Sequence, residues 1–589
     1  MKNRAVRIIS SLLILAILAA GCISPQTHPA ATVTLAPSAT MANSPTTAPS
    51  PTTQPTDTPA PTVTLAPSPT AAANPSYWWN SAVFYEIFVR SFFDGTGDGK
   101  GDFKGLTAKL DYLNDGNPNS TTSLGVKALW LLPIQPSPLY DGYDITDYSA
   151  VNQDYGTMND FKTFLQEAHK RGIKVIIDFV PNDTSKQNPW FISAQDPKSD
   201  KRDWFVWSDK DPGYNGPWNE QVWYQAVAGF YYAIFNPETP DLNYRNPAVN
   251  TAMDNVVSFW LKDVGVDGFR IDGAPYIIED GSTQADTPET HAWYKALRTF
   301  YKAINPDAFT VGEVWESVFS ASAYAQGDEL DTVFAFDMAS AMVNDVNGGN
   351  GSQASDDILF NSSKFKPNQF GTFLTNHDMS RAFSQLGGDM GKMKSAATIY
   401  LTAPGVPFIY YGEEIGMSGV KGSGADADES DRSPMQWSSA ANGGFTTGSP
   451  WWPVNSDLTT VNVASETSDP NSLLAFYRQL VHLRNEQVAL QSGDYLKVAG
   501  SDSSIYAALR TSGDDIVLVV SNLNSNPIKS ATLSLAKGAL SGSYQVTPLL
   551  GSGTFANLTS NAAGGFDNYP MPADLPAGGN DILLLKPAK

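Results

Sequence analysis

A (β/α)8 (TIM) barrel is the α/β fold that the sequence predicts, with a small domain inserted after the third strand and an all-β sandwich behind the barrel. Three observations predict it. From Tyr77 onward, eight short apolar runs alternate with amphipathic helical stretches, the pattern of strand–helix units repeated on a parallel sheet. The third and fourth runs are separated by a longer interval, about 183–243, dense in Trp and Tyr. After about residue 488 the pattern changes to the two-residue alternation of half-buried strands, punctuated by Gly and Asn.

Taken in order, the chain starts with basic "MKNRAVR", then apolar "IISSLLILAILAA", too short for a membrane span, then "LAAGC". Residues 1–22 therefore read as a secretory signal. Cys22 is the only cysteine of the 589 residues, so no intrachain disulfide is possible. It is either incidental to a plain signal or, since LAAGC resembles the bacterial lipobox, the site of lipidation. In that case the protein is extracellular and anchored to the bacterial membrane by its N-terminal lipid. Residues 23–76 collapse to Pro, Thr, Ala and Ser with Asp57 as the sole charge, and "TVTLAPSAT" (32–40) returns as "TVTLAPSPT" (62–70). Such a segment cannot bury a core and reads as an extended spacer.

The barrel is expected in two parts, 77–182 and 244–487. Its strands are "AVFYEIFV" (82–89), "VKALWLL" (126–132), "IKVIIDFV" (173–180), "VDGFRID" (266–272), "AFTVGEVW" (308–315), "LDTVFAF" (330–336), "QFGTFLTN" (369–376) and "VPFIYY" (406–411). A helix is expected over 159–172, with Phe161, Phe164, Leu165 and Ala168 on one face and Gly172 ending it. The aromatics of the insertion, 183–243, either build its core or line a cleft. Residues 488–589 form the all-β sandwich.

Acidic residues outnumber basic ones 60 to 38, for a net charge of −22. That excludes a nucleic-acid partner, which needs Lys and Arg for its phosphates, and suits a neutral ligand or a metal cation. A monomer is expected.

Chemistry in such a barrel sits at the C-terminal ends of the strands. Those ends carry Asp178 after the third run, Arg270 and Asp272 after the fourth, Glu313 after the fifth, and His377 with Asp378 after the seventh. Arg270 and Asp272 in "GFRIDG" are two apart and share a strand face. Read alone they are a structural ion pair. Ionisable groups at four of the rims point instead to one site, with Asp272, Glu313 and Asp378 converging on it. In the loop "DGTGDGKGD" (94–102), Asp94, Thr96, Asp98 and Asp102 alternate with glycines, and Lys100 offers a backbone carbonyl. The loop is either a plain acidic turn or a site for a hard cation. It is not an EF-hand, because Gly105 stands where the bidentate Glu belongs.

"DFVPND" (178–183), "GFRIDGAPY" (268–276), "VGEVW" (311–315) and "FLTNHD" (373–378) resemble, in order, the four sequence regions of the α-amylase superfamily, glycoside hydrolase family 13. "TPDLN" (239–243), "GYDITDY" (142–148), "YYGEEIGM" (410–417) and "DRSPMQW" (431–437) are similar to its further motifs. The mixture resembles the α-amylase, oligo-1,6-glucosidase and neopullulanase-intermediate branch. The resemblance implies that Asp272 is a nucleophile forming a covalent glycosyl-enzyme and Glu313 the acid and then base. Asp378 would hold sugar hydroxyls, Arg270 would keep Asp272 charged, His377 would donate a hydrogen bond, and Tyr143 would stack under the sugar. Asp178 would lie among the substrate contacts. Glu313 is expected to stay protonated while Asp272 ionises, their environments pushing the two pKa values apart. The loop 94–102 resembles the family's structural Ca2+ loop, which assigns Asp94, Thr96, Asp98, Lys100 and Asp102 to the metal.

The sequence departs from the family in three places. Asp183 and Asp141 stand where histidines are usual near the cleaved sugar. Either they preserve contact with its 6-hydroxyl, or their negative charge shifts the pH optimum or selects another, cationic sugar. An ionised Asp accepts hydrogen bonds but cannot donate them. Pro275 and Tyr276 stand where many α-amylases carry Lys and His on the leaving-group side. The resemblance implies an extracellular, retaining, α-amylase-like hydrolase of α-1,4 bonds in starch-type α-glucans and maltooligosaccharides. An α-glucosidase of the oligo-1,6-glucosidase type, a trehalose synthase-like transferase and a non-catalytic glucan-binding lipoprotein are the alternatives.

Overall fold

The computed structural model describes residues 77–424, 427–572 and 574–588. The signal, Cys22 and the spacer to residue 76 lie outside the described residues. Among the described residues, no helix is long and apolar enough to cross a membrane.

Eight parallel strands close a barrel: β1 (Phe84–Ile87), β2 (Ala128–Leu131), β3 (Lys174–Phe179), β4 (Gly268–Ile271), β5 (Phe309–Gly312), β6 (Thr332–Phe334), β7 (Phe370–Thr372) and β8 (Val406–Tyr410). Each pairs with its neighbour in sequence and β8 closes on β1. The strands are apolar on both faces because one faces the helices and the other a lumen filled with side chains. Phe84 and Phe408 stack with centroids 4.5 Å apart, Phe408 meets Phe334 at 4.9 Å, and Phe334 meets Trp130 at 5.3 Å.

All eight predicted runs form strands, but the ladders are shorter than the apolar runs. The run 308–315 pairs only over Phe309–Gly312, and 369–376 only over Phe370–Thr372. The residues beyond the ladder turn onto the rim, and these are the ones expected to carry chemistry.

Local sequence sets the outer layer as well. Helix α1 (Met158–Lys170) starts at a capping box, the Thr157 side chain on the Asp160 N–H and the Asp160 side chain on the Thr157 N–H. It buries Phe161, Phe164, Leu165 and Ala168, and Gly172 follows at φ +74°. Helix α2 (Met390–Thr402) precedes β8, and α3 (Leu473–Glu486) ends the barrel layer. From α3 the buried Arg484 donates to the carbonyls of Leu401, Ala403 and Gly405 at 2.8, 3.1 and 2.6 Å. Arg510 of the C-terminal sheet donates to the Thr402 carbonyl beside them. Two cations thus satisfy the orphan carbonyls where α2 ends, and tie the C-terminal unit to the barrel.

Between β3 and β4, an antiparallel three-stranded sheet has Gly229–Tyr232 between Trp207–Ser208 and Trp223–Ala226. Bridges Asp183↔Asp241 and Phe205↔Leu242 pin its ends to the barrel rim. Of its aromatics, Trp204, Trp223, Tyr231 and Tyr232 are buried and Trp190 and Trp207 half-buried, so they build the core of the insertion; Trp218 is 56% exposed. After Asp494, a six-stranded antiparallel sheet and a three-stranded one enclose a second core that includes Ile505, Leu509, Leu533, Phe566 and Leu583.

Barrel closure leaves no room at the start of β4. Gly268 has φ +154°, and a Cβ there would stand 1.9 Å from the Phe309 carbonyl oxygen of β5. Gly268→Ala is expected to destabilise the protein by about 3 kcal/mol or more, because neither backbone can retreat without opening the barrel. A melting temperature equal to that of the unmutated protein would contradict this.

Candidate active site

Strand register brings the first charges together. Asp178 on β3 pairs with Arg270 on β4. Asp272 and Glu313 leave the ladder but stay anchored, their N–H groups donating to the carbonyls of Phe179 (3.0 Å) and Ile271 (2.9 Å). Arg270 is 1% exposed and holds all three acids: Nη1 reaches Asp178 Oδ1 at 2.8 Å and Asp272 Oδ1 at 2.7 Å, and Nη2 reaches Glu313 Oε2 at 2.8 Å. The two terminal nitrogens of one planar cation thus carry Asp272 and Glu313, one on each. The Gly273 N–H also donates to Glu313 Oε2, at 3.0 Å.

A second group forms from Glu86 on β1 and from the segments after β2, β7 and β8. The Tyr143 hydroxyl donates to Asp178 Oδ2 at 3.1 Å, accepts from Arg270 Nη1 at 3.2 Å and lies 2.7 Å from His377 Nε2. The Tyr143 and His377 rings are stacked, 8° from parallel. His377 Nδ1 lies 2.6 Å from Glu86 Oε1, and Nε2 lies 3.1 Å from Asp378 Oδ2. Asp378 Oδ1 accepts from Arg432 Nη2 at 2.9 Å, and Arg432 Nε donates to the His377 carbonyl at 3.0 Å. Asp378 is thereby aimed by one cation and the imidazole.

Burial sets the protonation states. It pushes the Glu86 carboxyl well above its usual range and the His377 imidazolium well below, with Arg432 and Arg270 adding to the latter. Their contact is thus a neutral carboxyl–imidazole hydrogen bond, which leaves Nε2 carrying the donor that faces Tyr143 and Asp378. Asp272 and Glu313 are both pushed up to about 7, first by burial, against the pull of Arg270. Burial is the first cause for each, and the two are coupled: the charge on whichever ionises first holds the proton on the other.

Asp183 is 3% exposed, and its Oδ1 has no hydrogen-bond partner. Burial, then Asp241, Asp272 and Asp144, push its carboxyl well above the usual range, and no cation offsets them. Asp241 beside it is raised as well, first by burial, while accepting from Asn182 Nδ2 at 3.0 Å and the Ile234 N–H at 2.9 Å. Burial and its acidic neighbours thus favour the protonated form of Asp183, against a hydrogen bond from Thr239, and in that form it has an O–H to donate. Asp141 accepts the Tyr143 N–H at 3.0 Å and so fixes the loop that presents the tyrosine; burial raises it too, against Arg432.

The loop 94–102 is held closed by its own hydrogen bonds. Asp94 accepts the N–H groups of Thr96, Gly97 and Gly99 at 2.9, 2.6 and 2.8 Å and the Thr446 hydroxyl, and Asp102 accepts those of Gly95 and Gly105 at 3.0 and 2.6 Å. The Lys100 ammonium turns away to Asp154, at 2.8 Å. Among the described residues, no group of three or more His, Cys, Asp or Glu side chains is arranged to hold a metal ion. A cation here would draw on Asp98, the Thr96 hydroxyl and the Lys100 carbonyl rather than on an acidic cage.

Sequence reasoning did not single out Glu86, Trp130 or Arg432. Trp130 Nε1 donates to Asp178 Oδ2 at 3.3 Å. Each left a trace: Glu86 is the lone charge in an apolar run, and Arg432 lies inside "DRSPMQW".

Residues 86–493 match the family described as alpha amylase, catalytic domain. Alpha-amylase 3 of Dictyoglomus thermophilum is 38% identical over 455 residues, 76% of this chain and 85% of that protein. The oligo-1,6-glucosidase of Parageobacillus thermoglucosidasius is 34% identical over 527 residues, 76% of this chain and 90% of its own. Among solved structures, an alpha-amylase from H. orenii superposes with a TM-score of 0.74 at 36% identity, covering 86% of this chain and 99% of its own.

The state of Asp183 has a consequence for stability. Its folded pKa lies above the unfolded value of about 3.9, so the folded state keeps a proton that the unfolded state releases, and stability falls as pH rises above about 4. An asparagine side chain at this position would carry no such proton. Asp183→Asn is therefore expected to raise the melting temperature, relative to the unmutated protein, more at pH 8 than at pH 5. An equal difference at both values would show that Asp183 is ionised when folded.

Proposed function

The chain belongs to the α-amylase family of glycoside hydrolases, and from that premise we propose that it is a retaining, α-amylase-like hydrolase cutting α-1,4 bonds of starch-type glucans and maltooligosaccharides. The observation that carries this reading is the Arg270 fork, which sets Asp272 and Glu313 side by side on adjacent strand ends. Retention needs two neighbouring carboxyls, one to attack the anomeric carbon and one to protonate the departing oxygen, and a shared cation is consistent with that pairing.

In the first step Asp272 forms the bond to the anomeric carbon as Glu313 gives its proton to the glycosidic oxygen, which leaves as a hydroxyl. In the second, Glu313 takes a proton from water, the water oxygen displaces Asp272, and the configuration is restored. Arg270 stays protonated throughout and stabilises the carboxylate that Asp272 becomes again. Asp378, aimed by Arg432 and His377, accepts sugar hydroxyls, and Asp183 in its protonated form is a donor to them. Pro275 and Tyr276 favour a second reading, an α-glucosidase acting from chain ends. The N-terminal signal and LAAGC support an extracellular, lipid-anchored location, and the glycine-spaced oxygens of the loop 94–102 support a structural Ca2+.

Glu313→Gln is expected to lower kcat on soluble starch by about 10²–10⁴-fold with an unchanged melting temperature, since general acid–base catalysis is worth that much. Products resolved by chain length should be maltooligosaccharides; glucose alone from the first minutes would favour the glucosidase reading. Chelation with EGTA is expected to lower the melting temperature and added Ca2+ to restore it. No change in either direction would remove the ion from the proposal.

A further inference from the structure

The segment that follows β8 is pinned to the turn carrying Asp378. The Arg381 N–H donates to the Gly419 carbonyl at 3.0 Å, the Gly419 N–H to Ser384 Oγ at 2.9 Å and the Lys421 N–H to Ser380 Oγ at 2.9 Å. The chain then doubles back, with the Gly422 N–H on the Ala427 carbonyl at 2.7 Å, and brings Asp428 opposite Lys421. The Arg432 N–H donates to the Asp428 carbonyl at 3.0 Å, a helical turn that sets residues 428 and 432 on one side.

Side chains complete a ring around Asp378. Arg432 Nη2 donates to Asp378 Oδ1 at 2.9 Å and to Asp428 Oδ2 at 3.1 Å. Lys421 Nζ forms an ion pair with Asp428 Oδ1 at 2.7 Å and donates to the Asp378 carbonyl at 2.8 Å. Two cations and two carboxylates thus alternate, and Asp428 is the member that joins the cations. Stability alone does not account for the ring, because ion pairs in reach of solvent contribute little to folding, and Asp428 and Lys421 are both partly exposed.

What the ring controls is direction. Arg432 has a second terminal nitrogen, Nη1, that is buried and has no partner. A guanidinium facing one carboxylate favours the two-pronged arrangement, with a nitrogen on each oxygen. Asp428 holds Nη2 from the other side, so Arg432 meets Asp378 through Oδ1 alone. Asp378 Oδ2 stays beside His377 Nε2, at 3.1 Å. Without that hold the fork is free to turn and grip both oxygens of Asp378.

We propose that Asp428 is a positioning residue of the reaction. By restraining Arg432 and seating Lys421 on the Asp378 carbonyl, it keeps Asp378 Oδ2 available to a sugar hydroxyl in the transition state. This rests on the hydrolase reading and adds to it two residues, Asp428 and Lys421, that act through others.

Asp428→Asn keeps the shape of the side chain but removes its charge. It is expected to lower kcat on maltoheptaose about tenfold, with KM changed less than about twofold and the melting temperature unchanged, because a misaimed acid costs transition-state rather than ground-state binding. Asp428→Glu should recover most of the loss. Lys421→Met is expected to act in the same direction, and the double variant to lose no more than Asp428→Asn alone, since both work through one ring. Unchanged kcat, a loss confined to KM, a melting temperature that falls in step with activity, or additive losses in the double variant would each overturn the positioning role. Failure of the hydrolase reading shows differently, as absence of maltoheptaose turnover by the unmutated protein, and it takes the role assigned to Asp428 with it.

Discussion

A single buried guanidinium holds the chemistry of this barrel in register. Arg270 lies on β4 between Asp178 of β3 and Glu313 beyond β5, and it bonds both of them and Asp272. Burying a charge is costly unless it is paired and fully hydrogen-bonded. The cost here is offset in part by three charge-assisted contacts on the two terminal nitrogens, with Tyr143 sharing one of them, while the buried Nε has no partner. Because those partners come from three adjacent strand ends, the pairing is satisfied only when the barrel closes in this register. Fold and site are thus specified by one set of contacts.

The strand content was legible because burial on both faces leaves continuous apolar runs, which survive in the sequence as eight blocks. The catalytic acids were legible for the related reason that a charge ending an apolar run is conspicuous. Strand ends were less so. The ladder ends where neighbouring backbones diverge, which hydrophobicity does not record, and so 369–376 contracted to Phe370–Thr372. Glu86 was hidden by the opposite effect: a charged residue fully inside an apolar run looks like an exception, and only the meeting of β1 with the loop after β7 gives it a partner in His377. The aromatics of the insertion carried a pattern compatible with core or cleft. Their division, with Trp218 outside and the others packed, depends on a turn whose geometry is set by Asn219 and by Gln284, which reaches it from beyond β4.

More carboxyls surround the cleft than there are cations to pair with them. Arg270 and Arg432 serve Asp178, Asp272, Glu313 and Asp378, while Glu86, Asp183 and Asp241 have no cation of their own. For this surplus the surroundings favour the protonated form. Burial in a medium of low polarity disfavours the ionised form, and neighbouring carboxylates reinforce it. A protonated carboxyl is a hydrogen-bond donor as well as an acceptor. The cleft therefore presents both kinds of group to an uncharged, hydroxyl-rich ligand without accumulating charge that would repel ionisation of Asp272.

That arrangement explains how aspartate can stand at position 183 where the family places histidine. A neutral imidazole offers one donor and one acceptor; a protonated carboxyl offers the same pair in a smaller volume. An ionised aspartate would offer acceptors alone and would add to the repulsion already felt by Asp272. The substitution is conservative in hydrogen bonding only while the proton stays, and the proton stays because Asp241, fixed across the Asp183↔Asp241 bridge, is itself buried without a cation. Asp183 and Asp241 thus act together: a basic residue introduced beside either one would draw off the proton, ionise the pair and convert the donor on that wall of the cleft into a fixed negative charge.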